Sequence, residues 1–456
     1  MDTLRFDHSV YTVKEAEFQG RKIRYRAFED LVYVRKPVDP EYQKMNLYVP
    51  EIYYEEPEKA RFTLKTAPIF FPNSVGGYMP GLPQEPGATF TGIMNGTFYA
   101  LEQGFVVAAP GARGRGLTDA DGKFTGMAPA CLVDLKAAVR YLRYNRDRIP
   151  GDTEKIISNG TSAGGALSAL LGTTGNHEDY EPYLEQLGAA RERDDIFAAS
   201  CYCPITNLEH GDMAYEWEFC GLDAYYFRDQ PEGRLTERQK ELSVMEKELF
   251  PGYLNSLGLC DGTGKALSLN EDGTGSFRDY IASLVERSAE KEIEKGNEIG
   301  EYSWLNAEGG KIRLTDWDGY VRFRTRMKPV PAFDDVEMKT PENELFGTET
   351  ISRRHFTEFS FRHSEAEGEM AESGQIRMMN PINYIGDGSS DMCRYFRIRH
   401  GTVDRDTSLA ISAILALSLK EAGAKVDYAL PWGKPHSGDY DLEELFGWIG
   451  NLTELV

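Results

Sequence analysis

The sequence predicts an α/β fold, a mostly parallel, doubly wound sheet that carries one large insertion. Three observations point there. Short apolar segments, Ala67-Pro68-Ile69-Phe70-Phe71 and Phe105-Val106-Val107-Ala108-Ala109, read as strands buried on both faces, as in a parallel sheet. They alternate with helix-like segments up to about residue 204 and again from about 391, which places helices on both faces. Between two such elements stands Gly160-Thr161-Ser162-Ala163-Gly164-Gly165, a tight turn from an apolar run into a helix-like run.

Taken in order, residues 10–50 read as an antiparallel entry into the sheet. Tyr11-Thr12-Val13, Lys22 to Arg26, Leu31 to Val34 and Leu47-Tyr48-Val49 are short, β-branched or aromatic, and separated by polar breaks. The strand at 67–71 runs into Pro72-Asn73-Ser74-Val75-Gly76-Gly77-Tyr78. Glycines directly after a central strand let backbone N–H groups approach a ligand, so Gly76 and Gly77 are candidate oxyanion donors, with a plain turn as the alternative. A helix is expected around Thr89–Glu102, then the strand at 105–109 and a βα loop, Gly111 to Gly116. That loop lacks both the phosphate-loop and the dinucleotide-binding patterns. Leu132, Leu135, Val139 and Leu142 mark an amphipathic helix closed by Pro150-Gly151. The next strand, around Ile156-Ile157, delivers Ser162, and Asp195 to Pro204 forms one more core strand.

Regularity then breaks. Residues 205–390 are mixed and polar, and hold an aromatic-rich patch from Tyr215 to Phe227, the turns Asp261-Gly262 and Asp272-Gly273, and an acidic run from Glu365 to Glu372. A segment so long is no loop, so a separate domain is expected, with its acidic run solvated rather than holding a cation. The strand–helix rhythm returns with strands at Arg394–Arg399 and Val426–Leu430 and helices at Ser408–Ala422 and Asp439–Ile449. The expected organisation is therefore a core of residues 1–204 and 391–456 around an inserted domain of 205–390.

Composition narrows the function. The chain has 456 residues, 41% hydrophobic and 27% charged, and a net charge of −22 from 51 basic and 73 acidic residues. That balance disfavours nucleic acid and anionic membranes, which require clustered Lys and Arg. No stretch is long and apolar enough to span a bilayer, and the first residues, Met1 to Phe6, show no secretory pattern, so a cytoplasmic location is expected. The six cysteines form no Cys-x-x-Cys pair or metal spacing, and no metal or cofactor is expected. Cys201 and Cys203 alternate on the strand at 195–204 and read as buried thiols.

The chemistry gathers on Ser162. A strand, Gly-x-Ser-x-Gly and a helix lift a serine hydroxyl clear of the backbone at the sheet's end, and the Ala163 N–H faces a developing oxyanion. The bland alternative is a glycine-rich turn with a solvated serine. A serine needs a base and an orienter for it. Of seven histidines, His436 follows the last strand in Pro435-His436-Ser437-Gly438-Asp439, where the base belongs. Two carboxylates compete for orienter in His400-Gly401-Thr402-Val403-Asp404-Arg405-Asp406-Thr407. Asp404 lies nearer the strand end and is preferred; Asp406 is also a natural cap for the following helix.

Gly160 to Gly165, Arg399 to Ser408 and Pro435 to Asp441 together resemble the bacterial tannases. So do Asn207 to His210 with Ala214 to Trp217, Thr325 to Asp334, and Pro341 to Gly347, so the resemblance spans nearly the whole chain. Fungal relatives flank the serine and histidine with cysteines; here Thr161 and Pro435 precede them, as in the bacterial form. The resemblance implies an α/β-hydrolase that cleaves galloyl esters through Ser162, Asp404 and His436, beneath a lid domain. It implies that Lys328, Glu342 and Asp406 hold the ring hydroxyls; without it, Lys328 and Glu342 read as surface residues. The expected partner is a small phenolic ester. The alternative is a related esterase acting on other hydroxybenzoate or hydroxycinnamate esters, similar to feruloyl esterases. Neither oligomeric state nor the preferred alcohol portion follows from the residues.

Overall fold

The computed structural model describes residues 3–89, 91–227, 230–308 and 311–454. Its strands are β1 (Thr12–Phe18), β2 (Arg21–Val32), β3 (Lys44–Pro50), β4 (Pro68–Pro72), β5 (Val106–Pro110), β6 (Asp152–Thr161), β7 (Ala198–Tyr202), β8 (Ala224–Phe227), β9 (Gln230–Arg234), β10 (Leu305–Glu308), β11 (Lys311–Leu314), β12 (Tyr395–Arg399) and β13 (Lys425–Ala429). Nine of them form one sheet in the order β1-β2-β3-β5-β4-β6-β7-β12-β13. β1, β2, β3 and β5 pair antiparallel, and every pairing from β5 to β13 is parallel. This is the α/β-hydrolase sheet, with β6 near its centre. β4, β5, β7 and β12 are buried along their whole lengths; β4 and β5 read as unbroken apolar runs, whereas β12 buries Arg397 and Arg399.

Three expectations about elements are corrected. Lys22–Arg26 and Leu31–Val34 belong to one strand through Val32, because a bulge between Phe28 and Leu31 lets β2 continue past the polar break. The helix expected from Thr89 is Gly96–Glu102: the Asn95 side chain accepts from the Phe98 N–H and starts it there. Of that expected helix, Phe90 lies outside the described residues. The C-terminal helix begins at Leu442, not Asp439, because the Asp439 side chain is turned back to accept from the Gly96 N–H at 2.8 Å.

Between β7 and β12 the chain leaves the sheet. It forms two hairpins, β8–β9 and β10–β11, and long helices at Glu237–Ser256 and Ser276–Glu294. Leu235, Leu242 and Val330 form a small cluster of their own, but the insert's larger apolar side chains pack onto the core. Tyr215, Phe219, Phe333 and Phe346 pack in the cluster that holds β4 and β6, and Trp217, Phe250 and Phe277 pack with Leu409 to Leu417. The insert is thus fixed to the edge of the sheet where β6, β7 and β12 end. No helix among the described residues is long and apolar enough to cross a membrane.

Candidate active site

β6 ends at Thr161, and the helix Ala163–Thr173 begins two residues later. Ser162 bridges them with φ 63° and ψ −124°, a conformation that L-residues occupy only when their surroundings impose it. The surroundings do so: the Ser162 N–H donates to Tyr202 O at 3.0 Å, and its carbonyl accepts from Ala166 at 3.0 Å and Ile205 at 3.3 Å. The glycines around it are needed for space. A Cβ on Gly160 would strike the Gly164 carbonyl and the Asn73 side chain, and one on Gly164 would meet Asn73 Oδ1. The Asn73 Nδ2 donates to Gly164 O at 3.1 Å, so the loop after β4 is clamped to the serine turn. That loop continues to Gly76 and Gly77. Gly77 has φ 55°, and its carbonyl accepts from Arg115 Nε at 2.7 Å, which orients the peptide that joins it to Tyr78. The Ala163 N–H, at the first turn of a helix, has no intrahelical acceptor to satisfy.

The loop after β13 passes against Thr161, beside Ser162. A Cβ on Gly438 would strike the Thr161 hydroxyl, so His436 rides two residues from direct contact with the serine turn. His436 Nδ1 lies 2.8 Å from Asp404 Oδ2. Asp404 is fully buried, and its other oxygen accepts the Asp406 N–H at 2.9 Å. Burial opposes ionisation of Asp404, but His436, His400 and these hydrogen bonds outweigh it and hold the carboxyl well below the usual range. Burial likewise disfavours a charge on His436, yet the carboxylates of Asp404 and Asp406 with the Cys203 thiol raise its pKa well above the ordinary value.

Asp406 faces the other way. Its carboxylate pairs with Lys328 Nζ at 2.9 Å. The helix it was expected to cap is capped by Ser408, whose side chain accepts from the Ala410 N–H. Lys328 stands 4.0 Å over the Phe333 ring, and its N–H and that of Met327 donate to the Tyr215 hydroxyl. Glu342, buried at the first turn of the helix Pro341–Leu345, completes this group. Burial pushes its carboxyl up and Lys328 pulls it down; the net shift is upward. So the structure sets Asp404 against His436, and Asp406 and Glu342 around Lys328, with Asp404 and Asp406 on one loop. Ala163 follows Ser162 directly, and Gly76 and Gly77 lie farther along the loop that Asn73 clamps to that turn.

Several neighbours had no signature in the sequence. Cys203 does not continue the alternation of β7: the strand ends at Tyr202, and Cys203, with φ 35°, turns its sulfur to 4.0 Å from His436 Nε2. His400 is buried with Nε2 3.4 Å from Asp404 Oδ2 and Nδ1 2.8 Å from Ser412 Oγ; burial pushes its pKa down to about 4. Arg324, paired with Glu218, donates to the Asp404 carbonyl. The position of His400 after a strand was visible; the others depend on contacts far apart in the chain.

A family model described as BD-FAE matches residues 84–212. Esterase LipC of Mycobacterium tuberculosis is 41% identical over 58 residues, 13% of this chain; the chain spans only 14% of that relative's length. The tannase of Fusobacterium nucleatum is 47% identical with a TM-score of 0.93, covering 99% of both chains. The tannin acyl hydrolase of Lactobacillus plantarum is 44% identical with a TM-score of 0.94 and the same coverage. A tannin acyl hydrolase solved in complex with ethyl gallate is 44% identical with a TM-score of 0.93, again over 99% of both chains.

Proposed function

The chain belongs to the bacterial tannases, and from that premise we propose that it hydrolyses galloyl esters by acyl transfer through Ser162. Tannin acyl hydrolases with this fold have been solved with ethyl gallate and with 3,4-dihydroxybenzoate, which supports a phenolic acyl group. His436 Nε2 takes the proton of Ser162, whose oxygen attacks the ester carbonyl. The N–H groups of Ala163 and of Gly77 or Gly76 hold the oxyanion. His436 then protonates the leaving alcohol, and water, activated by the same nitrogen, releases the acid. Asp404 keeps the His436 ring in the tautomer that leaves Nε2 free.

The ring hydroxyls are read by Lys328, Glu342 and Asp406. Carboxylates accept from phenolic O–H groups, and an ammonium donates to their oxygens. A ring lacking the hydroxyls offers nothing to buried Glu342 or to the half-buried Lys328–Asp406 pair, so it is disfavoured. One observation carries this reading: Asp404 and Asp406, two residues apart and joined by a 2.9 Å hydrogen bond, face His436 and Lys328 respectively. A single turn thus ties the proton-transfer pair to the ring pocket. Residues 205–390 serve as the lid over a core of 1–204 and 391–456. The six free cysteines suit a reducing cytoplasm.

Hydrolysis of methyl gallate, methyl benzoate and methyl ferulate is the deciding comparison. Preference for gallate by two or more orders of magnitude is expected. Equal or faster turnover of ferulate would favour a hydroxycinnamate esterase instead. Ser162→Ala should lower kcat by about four orders of magnitude; near-normal turnover would end the serine mechanism.

A further inference from the structure

Cys203 takes no part in the mechanism above, yet it lies against its base. Its Sγ is 4.0 Å from His436 Nε2 and 3.5 Å from Ser437 O. One ligand atom from each of Cys203, Asp404 and His436 falls within 4.8 Å of the others, the only such group of three or more His, Cys, Asp or Glu among the described residues. Thiolate sulfur and imidazole nitrogen are the donors that thiophilic divalent ions select. A carboxylate on the far nitrogen of a histidine is the arrangement that orients metal-ligating imidazoles and makes them more basic. Asp404 holds His436 in that way. Zinc bonds of about 2.3 Å to sulfur and about 2.0–2.1 Å to nitrogen span about 3.6 Å at a tetrahedral angle. Closing the sulfur–nitrogen gap to that span takes a shift of about 0.4 Å, within the reach of side-chain torsions. The His436 side chain is 24% exposed, so an ion approaches from its side.

We propose that a thiophilic divalent cation of the zinc and cadmium class binds between Cys203 Sγ and His436 Nε2 and reversibly inhibits the enzyme. The inhibition rests on the reading of His436 as the base; the binding does not. On binding, the S–H bond breaks, a sulfur–metal and a nitrogen–metal bond form, and the thiol proton leaves to solvent, joined by the Nε2 proton wherever His436 is protonated. Nothing is oxidised or reduced. The Nε2 lone pair that would take the serine proton is then occupied. Because a proton is released, affinity rises with pH.

Two measurements on the full chain test this. Cadmium titration, followed by the ultraviolet thiolate-to-cadmium charge-transfer band, should give a band in the wild type that Cys203→Ser removes. Methyl gallate hydrolysis, with free zinc held by a metal buffer because galloyl hydroxyls also bind zinc, should be inhibited in the wild type and restored by a chelator. In Cys203→Ser the half-inhibiting zinc concentration should rise at least tenfold against that variant's own zinc-free rate. Cys203→Ala repeats both measurements if the serine variant misfolds. A cadmium band that survives loss of the thiol, or no band at all, overturns the site. A Cys203-dependent band in an enzyme that zinc leaves fully active overturns the inhibition and counts against His436 as the base.

Discussion

Two fully buried aspartates, Asp404 at the rim of the sheet and Asp212 in the insert, move in opposite directions. Asp404 stays ionised far below the usual carboxyl range, because two histidines and a backbone amide face it. Asp212 accepts backbone N–H bonds from Phe333 at 2.6 Å and Asp334 at 3.1 Å, yet burial and the charge of Asp334 raise its pKa. Glu246 nearby is raised too, by burial and then by Asp212, Glu216 and Asp334, and its Oε1 has no hydrogen-bond partner. Burial is common to both places. The sign of the neighbouring charge decides whether an acid becomes a working anion or a protonated scaffold.

The scaffold still bears on the site. Asp334 accepts from Asn343, His355, Phe356 and Thr357, and Asn343 is the neighbour of Glu342. Asp212 fixes the amide of Phe333, whose ring lies under Lys328. The insert's acids therefore hold Lys328 and Glu342, the side chains proposed to read the ring, and the rim's acid holds His436, the proposed base.

That contrast can be broken most sharply at Asp404. Asp404→Asn should lower kcat by about four orders of magnitude through the wrong histidine tautomer, with the chain still folded. A loss below tenfold would reduce Asp404 to the scaffold class. Next, Asp406→Asn or Glu342→Ala should weaken kcat/KM for methyl gallate by about a hundredfold, on the scale of 1.5–3 kcal/mol for a charged hydrogen bond, and barely alter a simple aryl ester. Equal losses on both substrates would make these side chains structural. A smaller effect is the pH dependence of the rate on that aryl ester. The raised pKa of His436 places the rise of kcat/KM above the ordinary imidazole range, and Asp406→Asn, by removing one of the charges that raise it, should shift the rise to lower pH. An unmoved profile would mean that Asp406 does not act on the base.

The smallest expected effect concerns stability. Asp404, lowered in the folded state, contributes stability that is present above the unfolded carboxyl value of about 4 and is lost as pH falls below it. Asp212 and Glu246, raised in the folded state, contribute stability that is full below about 4 and declines as pH rises toward their folded values. Thermal melts of Glu246→Gln should therefore flatten the alkaline limb and leave the acid limb alone. An unchanged alkaline limb would mean the insert's acids are not its source.

What could be read from residues alone follows from the range of the interactions. Buried strands β4 and β5 were legible because cover on both faces leaves them no polar side chain, whereas β12 carries the buried Arg397 and Arg399. The serine turn was legible because its glycines answer to sterics within five residues. Asp404 and Asp406 were not separable by spacing: they sit two apart on one loop, and only packing reveals that Ser408 takes the cap and frees Asp406 for Lys328. Lys328 and Glu342 looked like surface charges because their burial is created by segments more than sixty residues from Asp406 in sequence. Cys203 was misplaced by one register step, since alternation gives no warning of where a strand stops.

The central sheet is completed late. β7 ends at Tyr202, and its partner β12 starts only at Tyr395. At about 5–20 residues per second, a ribosome needs roughly 10–40 s to make the intervening stretch. Throughout that interval the nascent chain carries an apolar strand whose outer edge has nothing to pair with. Newly synthesised protein, rather than the finished enzyme, is therefore the form most exposed to self-association, and slowing or hastening translation across the insert should alter the yield of folded product without changing the mature molecule.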